Sequence, residues 1–517
     1  MSSVPRWFAL LTWTTLTLLG AMAVFTAAAG LTPSLMAATV LAALACVGFG
    51  PWLWSLVTRA AAASIPAGIR RLFAIGAPVL IAQLLLASAF IINPNLAQWE
   101  GRPWTPQRSN HSCVSSYWVA CERIRTAPDI YAEEIYSFPQ VNAAAPRLAR
   151  PIGPLLIDQY EYPPAFLVLP RIIGAATDDF WGFRRVWFAL NLVAVAAGLI
   201  LIGARFDRAL GTHALWLTPF VLVPPAIVIT LILGNIQLAI IAVSMIAMAL
   251  FERQRHAAGG VLLAYAVVSK LYPGLLVLYL LLRRDWRAVA WTALFSSAFV
   301  AISVADFGLG PYVSFVTHMP KLLSGEAFPA FRNPAAIAIN ESIPGLVFKL
   351  HLLGVANMGF TASKVVGWIY TVIAVVLTAR LALRPAATGR EPLAWIAILI
   401  LATMRSPFLP TYAPFPSLWL ATLLAALTWG RSGIFMTSVA AWVVLAFTFG
   451  TGGASPAVNA IWTFAHTIAA FVLVGLALRL TRSSGDSDGM AMGGSIEAAP
   501  GADTRTRRVN TIGLVGQ

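Results

Sequence analysis

The sequence predicts an all-α integral membrane protein, and three observations carry that expectation. Of 517 residues, 59% are hydrophobic and 11% charged, where a soluble chain has about a quarter charged; the mean hydropathy is +0.78. The apolar residues form long continuous runs, unlike the alternating segments of roughly ten residues that build a membrane barrel. The net charge of +15 comes from arginines clustered between runs, as positive-inside sorting places them. It is therefore read as topology, and no nucleic-acid partner is expected.

Residues 1–93 hold three spans, at 7–29, 34–57 and 72–92. The first is either an uncleaved signal anchor or an ordinary span, being longer than a cleaved signal core. Arg59, Arg70 and Arg71 put the linker before the third span in the cytoplasm. The polar loop 94–164 that follows the third span then faces the opposite side. It holds seven of the chain's twenty acidic residues, Glu100, Glu122, Asp129, Glu133, Glu134, Asp158 and Glu161, which makes it the expected seat of chemistry.

Residues 165–482 form the membrane core. A piece at 165–176 is too short to span and reads as re-entrant or tilted. Runs follow at 186–203, 215–233, 236–251 and 259–282, the last interrupted by Lys270-Leu271-Tyr272-Pro273. Arginines flank it on both sides (Arg253 and Arg255, then Arg283, Arg284 and Arg287), so both ends are wanted in the cytoplasm. A hairpin of two short helices turning at 270–273 meets that demand, and one continuous span does not. The run 288–304 crosses outward into a second polar segment, 306–342. Five further runs, at 365–381, 393–404, 414–429, 434–449 and 461–478, bring the total to about a dozen spans. Residues 483–517 read as a disordered cytoplasmic tail.

Several residues are candidates for chemistry. Lys270, inside an apolar run, either meets an anionic ligand such as a lipid phosphate or anchors the turn by snorkelling. Asn235 follows Gly234 at a helix junction whose free N–H groups suit an anion, though a plain helix cap fits it as well. Arg405 suits phosphate by bidentate contact or serves as an interfacial anchor. For a general base the candidates are Glu161, His111 and Asp158. Glu161 and Asp158 abut the aromatic and proline-rich stretch Tyr160, Tyr162, Pro163 and Pro164, where partial desolvation raises a carboxylate's pKa. His466, inside the last run, reads as a helix–helix hydrogen-bonding residue. Cys113 and Cys121 lie in the polar loop, where export would permit a bridge. No His, Cys and carboxylate spacing resembles a zinc site, and no nucleotide-binding glycine loop is present.

Tyr117-Trp118-Val119-Ala120, Asp129-Ile130-Tyr131, Tyr160-Glu161-Tyr162-Pro163-Pro164, Gly234-Asn235, Ser269-Lys270-Leu271-Tyr272-Pro273, Arg283-Arg284-Asp285-Trp286, Asn340-Glu341-Ser342-Ile343 and Ser406-Pro407 occur in an order that resembles glycosyltransferase family 87, of the GT-C superfamily. The resemblance runs from about His111 to Trp419. It implies a GT-C-like fold and transfer of a sugar, of the mannose or arabinofuranose class, from a polyprenyl-phosphate donor to a lipid or polysaccharide acceptor. Reaction on the non-cytoplasmic face of the plasma membrane is implied with it. It also implies a catalytic aspartate four residues before Tyr117, where this chain has Cys113. Glu161 or His111 is then expected to stand in, with Asp158 third. Lys270, Arg405 and Asn235 are expected on the donor phosphate, and Tyr160, Tyr162, Asn340 and Tyr117 on sugar or acceptor. A single-phosphate leaving group requires no metal cofactor, although the loop carboxylates would suit Mg²⁺ or Mn²⁺. The rival reading is a transporter or flippase of lipid-linked substrates, which also uses intramembrane charge and broken helices.

Overall fold

A computed structural model describes residues 5–61, 65–97, 111–136, 152–206, 213–384, 386–410, 412–447 and 455–481; the expected tail at 483–517 lies outside the described residues. Three long apolar helices come first: α1 (Arg6–Leu31), α2 (Leu35–Ala61) and α3 (Ala67–Ile92). In the loop after them, β1 (His111–Ser112) leads into α4 (Cys113–Arg123), and β2 (Leu156–Ile157) precedes a 3₁₀ turn at Pro164–Leu167 and the short α5 (Val168–Ala175). The apolar chain resumes with α6 (Phe180–Arg205), α7 (His213–Leu217), α8 (Pro219–Leu222), α9 (Pro225–Leu233) and α10 (Gln237–Glu252). Next come α11 (His256–Ser269), α12 (Gly274–Leu282), α13 (Trp286–Phe307), α14 (Gly310–Ser324) and α15 (Pro334–Ala338). The chain closes with α16 (Ile343–Leu352), α17 (Phe360–Ala382), α18 (Glu391–Thr403), α19 (Pro414–Leu427), α20 (Ser432–Ala446) and α21 (Pro456–Leu480).

The all-α expectation holds, with one two-residue parallel pairing of β1 and β2 in the loop. Helix length alone accounts for fewer spans than the dozen expected. Among the described residues seven helices are long and apolar enough to cross a bilayer, or eight if the run from His213 to Leu233, bent by 67°, counts as one. Breaks at Pro219, Pro225, Gly234 and 270–273 cut the other runs short, and α18 at 13 residues and α19 at 14 fall below the roughly 20 needed. These short helices are interior: α9, α10, α18 and α19 are buried along almost their whole length. The outer helices α2, α13 and α17 instead expose large apolar side chains such as Met36, Leu294 and Val372. That is the distribution expected when lipid, as apolar as leucine, replaces water outside.

Small residues set the closest approaches. Gly30 of α1 and Gly182 of α6 face each other; a Cβ on the first would lie 2.6 Å from Gly182 O, and on the second 2.7 Å from Gly30 O. In α11, Gly259 lies against Phe251 of α10 and Gly260 against Trp291 of α13.

Charge marks the two ends of the bundle. Arg205 bonds Glu252 at 2.9 Å, these two line one small cavity with Glu391, and Arg390 Nη1 donates to Leu480 O at 3.2 Å. The ends of α6, α10 and α21 and the start of α18 therefore share one level. Tyr279, near the end of α12, feels the Glu252 carboxylate that ends α10, and Arg283 Nη1 donates to its hydroxyl at 3.3 Å. Both termini of the α11–α12 unit thus sit at this arginine-rich end, with Lys270 at the opposite end, as a hairpin requires.

Candidate active site

At the end of the bundle opposite Arg205, Glu252 and Arg390, four separate chain segments converge. The first is the junction of α9 and α10. Gly234 adopts φ 73°, a left-handed conformation natural to glycine, and any side chain there would collide with Val114 Cγ2. Its carbonyl accepts from Trp187 Nε1 at 2.8 Å. Asn235 Oδ1 accepts from Gln237 N at 2.9 Å, the expected cap, while its amide reaches Cys113 Sγ at 3.5 Å.

The second segment is the loop. Ser112 Oγ donates to Leu233 O at 3.1 Å, tying the loop to α9. The parallel register pairs His111 with Leu156 and Ser112 with Ile157, which brings Cys113 alongside Asp158; Asp158 N also donates to Ser115 Oγ at 3.0 Å. The loop then turns through a nest of aromatic hydroxyls. Tyr117 donates to Tyr162 Oη at 3.0 Å, Tyr131 to Tyr162 O at 2.8 Å and Tyr160 to Pro163 O at 2.9 Å. These bonds hold Glu161 half-buried at the edge of a cavity.

The third segment is the hairpin tip. Lys270 Nζ lies 4.9 Å from the Tyr162 ring centroid and 5.4 Å from that of Tyr412, cation–π distances. The fourth is the stretch 404–409, which carries Arg405. It is clasped by Asn340 to Ile343: Asn340 Nδ2 and Ser342 Oγ donate to Pro407 O at 3.0 and 2.7 Å, Asn340 Oδ1 accepts from Leu409 N at 2.9 Å, and Ile343 N donates to Met404 O at 2.9 Å. Arg405 Nε donates to Thr371 Oγ1 at 2.7 Å and its guanidinium stands 5.8 Å above the Trp368 ring, passing close over Gly367.

A cavity of about 440 Å³ opens between these segments, lined by Glu161, Tyr162, Gln237, Lys270, Arg405 and Tyr412, and by Phe315, Met319 and Leu322 of α14. Three other cavities, of about 190, 120 and 180 Å³, are smaller. Lys270 makes no ion pair among the described residues. Burial, and then the nearby Asp158 carboxylate, push the Glu161 carboxyl well above the usual carboxylate range, with Lys270 pulling it back. Burial and Asp158 likewise push the Cys113 thiol up, so it is a neutral thiol and not a thiolate.

The structure thus gathers Glu161, Lys270, Arg405 and Tyr162 on one cavity. Asp158 and Asn235 stand directly behind it, against Cys113. Tyr117, Tyr160 and Asn340, expected on sugar or acceptor, are fully buried and do not line it; the Tyr160 hydroxyl and the Asn340 amide hold backbone, and the Tyr117 hydroxyl holds that of Tyr162. His111 is placed by its backbone in β1, and its side chain lies outside the described residues. The permitted bridge between Cys113 and Cys121 is corrected: both are free. They lie eight residues apart on one helix, roughly 12 Å along its axis, beyond disulfide reach. Tyr412 has no counterpart among the expected site residues, because a tyrosine two residues after Pro410 carries no local signal; Gln237 belongs to the helix junction expected at Gly234-Asn235. Also unforeseen is the pairing of Glu341 with His466 Nδ1 at 2.8 Å across 125 residues; His466 bonds the segment between α15 and α16 where a second helix was expected. Among the described residues no three His, Cys, Asp or Glu side chains come together as a cation's ligand set.

Residues 160–410 match the family described as glycosyltransferase family 87, the family the motifs resemble. No curated protein and no solved structure matches the chain.

Proposed function

On the match of residues 160–410 to glycosyltransferase family 87, we propose that this protein is a membrane glycosyltransferase that moves a sugar of the mannose or arabinofuranose class from a polyprenyl-phosphate donor to a lipid or glycan acceptor. The cell envelope, on the non-cytoplasmic face of the plasma membrane, is its site of action. The observation that carries this reading is one cavity lined by a desolvated carboxylate, Glu161, and two cations from distant segments, Lys270 and Arg405. The arginine-rich end is cytoplasmic by the positive-inside rule, so the cavity faces outward.

The chemistry follows from those groups. Glu161 takes the proton of the acceptor hydroxyl, whose oxygen attacks the sugar's anomeric carbon as the bond from that carbon to the phosphate oxygen breaks. The electron pair leaves with polyprenyl phosphate, and the charge gathering on its oxygens is met by Lys270 and Arg405. One displacement inverts the anomeric centre. A carboxyl with a raised pKa is the stronger base once ionised, and Lys270 helps to keep it ionised. Asp158 occupies the space beside Cys113 and supports Glu161 by position, or replaces it as base. The apolar wall from α14 suits the first isoprene units of a lipid chain. A single-phosphate leaving group requires no metal, although the loop carboxylates would suit Mg²⁺ or Mn²⁺.

The test is sugar release from radiolabelled polyprenyl-phosphate mannose and polyprenyl-phosphate arabinose by membranes carrying wild type, Lys270→Ala, Glu161→Gln or Asp158→Asn. Turnover by wild type that fails in Lys270→Ala and in one carboxylate variant supports the reading and selects the base. No turnover of either donor, together with flipping of labelled lipid in proteoliposomes, overturns it in favour of a transporter.

A further inference from the structure

Both ends of α14 are fastened to the outer level of the bundle. The helix begins just after Phe307, where the lipid-exposed span α13 ends. That end is held on the outer side: Arg125 of the exported loop pairs with Asp306, and Arg171 Nε of α5 lies 3.6 Å from Asp306 Oδ2. Glu326, just past the last turn of α14, pairs at 3.2 Å with Lys364 Nζ, near the start of α17, a span that carries Arg380 in its last turn. A helix of 15 residues is roughly 22 Å long. With its termini at the outer ends of two spans, it runs along the membrane surface.

The sides of α14 divide into three sectors at helical spacing. Phe315, Met319 and Leu322 wall the candidate active-site cavity, and His318 beside them stacks on Tyr131 of the loop, ring centroids 5.0 Å apart. Thr317 and Lys321, one turn apart, are exposed and polar. Val313 and Val316 form an apolar stripe, each 65% exposed, which Leu309 and Leu323 continue at 66% and 42%. An apolar stripe beside a polar one on the uncovered side suits a helix half-sunk among lipid headgroups. Leu323 belongs to two sectors, for it also lines the cavity. Leu271, next to Lys270 at the hairpin tip, lines the cavity as well and is 53% exposed. The cavity wall thus reaches the outside at two large apolar side chains, one from α14 and one from the hairpin.

We propose that α14 rests in the outer membrane interface with its valine stripe in lipid, and that the cavity opens sideways into the outer leaflet between Leu323 and Leu271, so that the chain of a lipid-linked substrate lies out through this mouth. The passage of the substrate chain rests on the sugar-transfer reading; the seat of α14 and the mouth do not.

The seat and the mouth are tested by nitroxide EPR on the full chain in phosphatidylglycerol–phosphatidylcholine liposomes, with single labels at Val316→Cys, Leu323→Cys, Leu271→Cys or Thr317→Cys in a Cys46→Ser background. The first three are expected to collide with oxygen, which partitions into lipid, in preference to a nickel chelate, which stays in water; Thr317→Cys should show the reverse. Equal ratios at Val316 and Thr317 overturn the interfacial seat, and a water-like ratio at Leu323 and Leu271 overturns the mouth. Passage is tested by KM for long-polyprenyl and short, soluble isoprenyl forms of the same phosphate–sugar donor. Leu323→Asp should raise KM for the long form by roughly tenfold and leave the short form unchanged, and Leu323→Met should behave as wild type. An equal effect on the two forms overturns passage through the mouth. Turnover of neither form by wild type overturns the sugar-transfer reading and the passage with it, while the EPR ratios still decide the seat and the mouth.

Discussion

Lys270 stands over the face of Tyr162, its Nζ 4.9 Å from the ring centroid, and Tyr162 is in turn held through its hydroxyl by Tyr117 and through its carbonyl by Tyr131. The ammonium is positioned by π faces, not by a carboxylate, so its charge remains directed at the cavity. Replacing Lys270 by Ala should lower kcat/KM for the lipid-phosphate donor by about 10²-fold or more, while Lys270→Arg retains part of it. Steady-state kinetics in detergent with the donor varied would check this; a Lys270→Ala enzyme within a factor of about three of wild type would remove the residue from the mechanism.

The raised pKa of Glu161 fixes the direction of a pH dependence. A base must be ionised, so activity should fall as pH drops through a pKa above the roughly 4.3 of a free glutamate. That acid limb should vanish, at a low residual rate, in Glu161→Gln. If the limb persists in Glu161→Gln and disappears in Asp158→Asn, the two carboxylates exchange roles.

Gly234 and Val114 form a packing pair that a double-mutant cycle can read. Gly234→Ala meets both a strained φ and the Val114 methyl, and should cost about 1–3 kcal/mol of stability. Val114→Ala should relieve part of that loss in the double variant, because only the collision is removed and the backbone strain stays. Thermal melts of the four proteins give the coupling; strict additivity would show that α4 does not press on the junction.

The buried pair of Glu341 and His466 predicts an asymmetric response. Removing one partner, as in Glu341→Leu, leaves an orphaned polar group and should destabilise by about 3–5 kcal/mol. Removing both, as Glu341→Leu/His466→Leu, should recover much of it. Lys349, which shares the site through Thr463 and feels Glu341, stays in place in both. A double variant no better than the single one would mean that the pair does more than satisfy itself.

The clasp of Asn340 on Pro407 and Leu409 separates positioning from contact. Asn340→Ala should raise KM for donor because Arg405 loses its frame, and Asn340→Asp, which keeps the acceptor for Leu409 N, should rescue part of it. Equal loss in the two variants would point to the donor bond to Pro407 O as the one that matters.

Much of this was readable before any coordinates. Hydropathy located the helices, and the arginines flanking 259–282 implied the hairpin that presents Lys270, because topology is written in local charge. Hydropathy alone does not count spans, since a short buried helix such as α18 is as apolar as a longer one. Tyr160 and Asn340 are expected on sugar or acceptor only through the motifs that carry the family resemblance, and in the fold both satisfy backbone from 0% exposed positions. Glu341 could not be matched to His466, since hydrogen bonds between side chains so far apart leave no periodic trace. Cys113 drew notice as a departure, but its nearness to Asp158 needed the strand register.

Ser112 hands its hydroxyl proton to the carbonyl of Leu233, 121 residues further on. The loop that carries Glu161 precedes that carbonyl in the chain, with α6 and the α7–α9 run between them. The bond can therefore close only once α9 has been made, which ties the placement of the loop to a later part of the sequence.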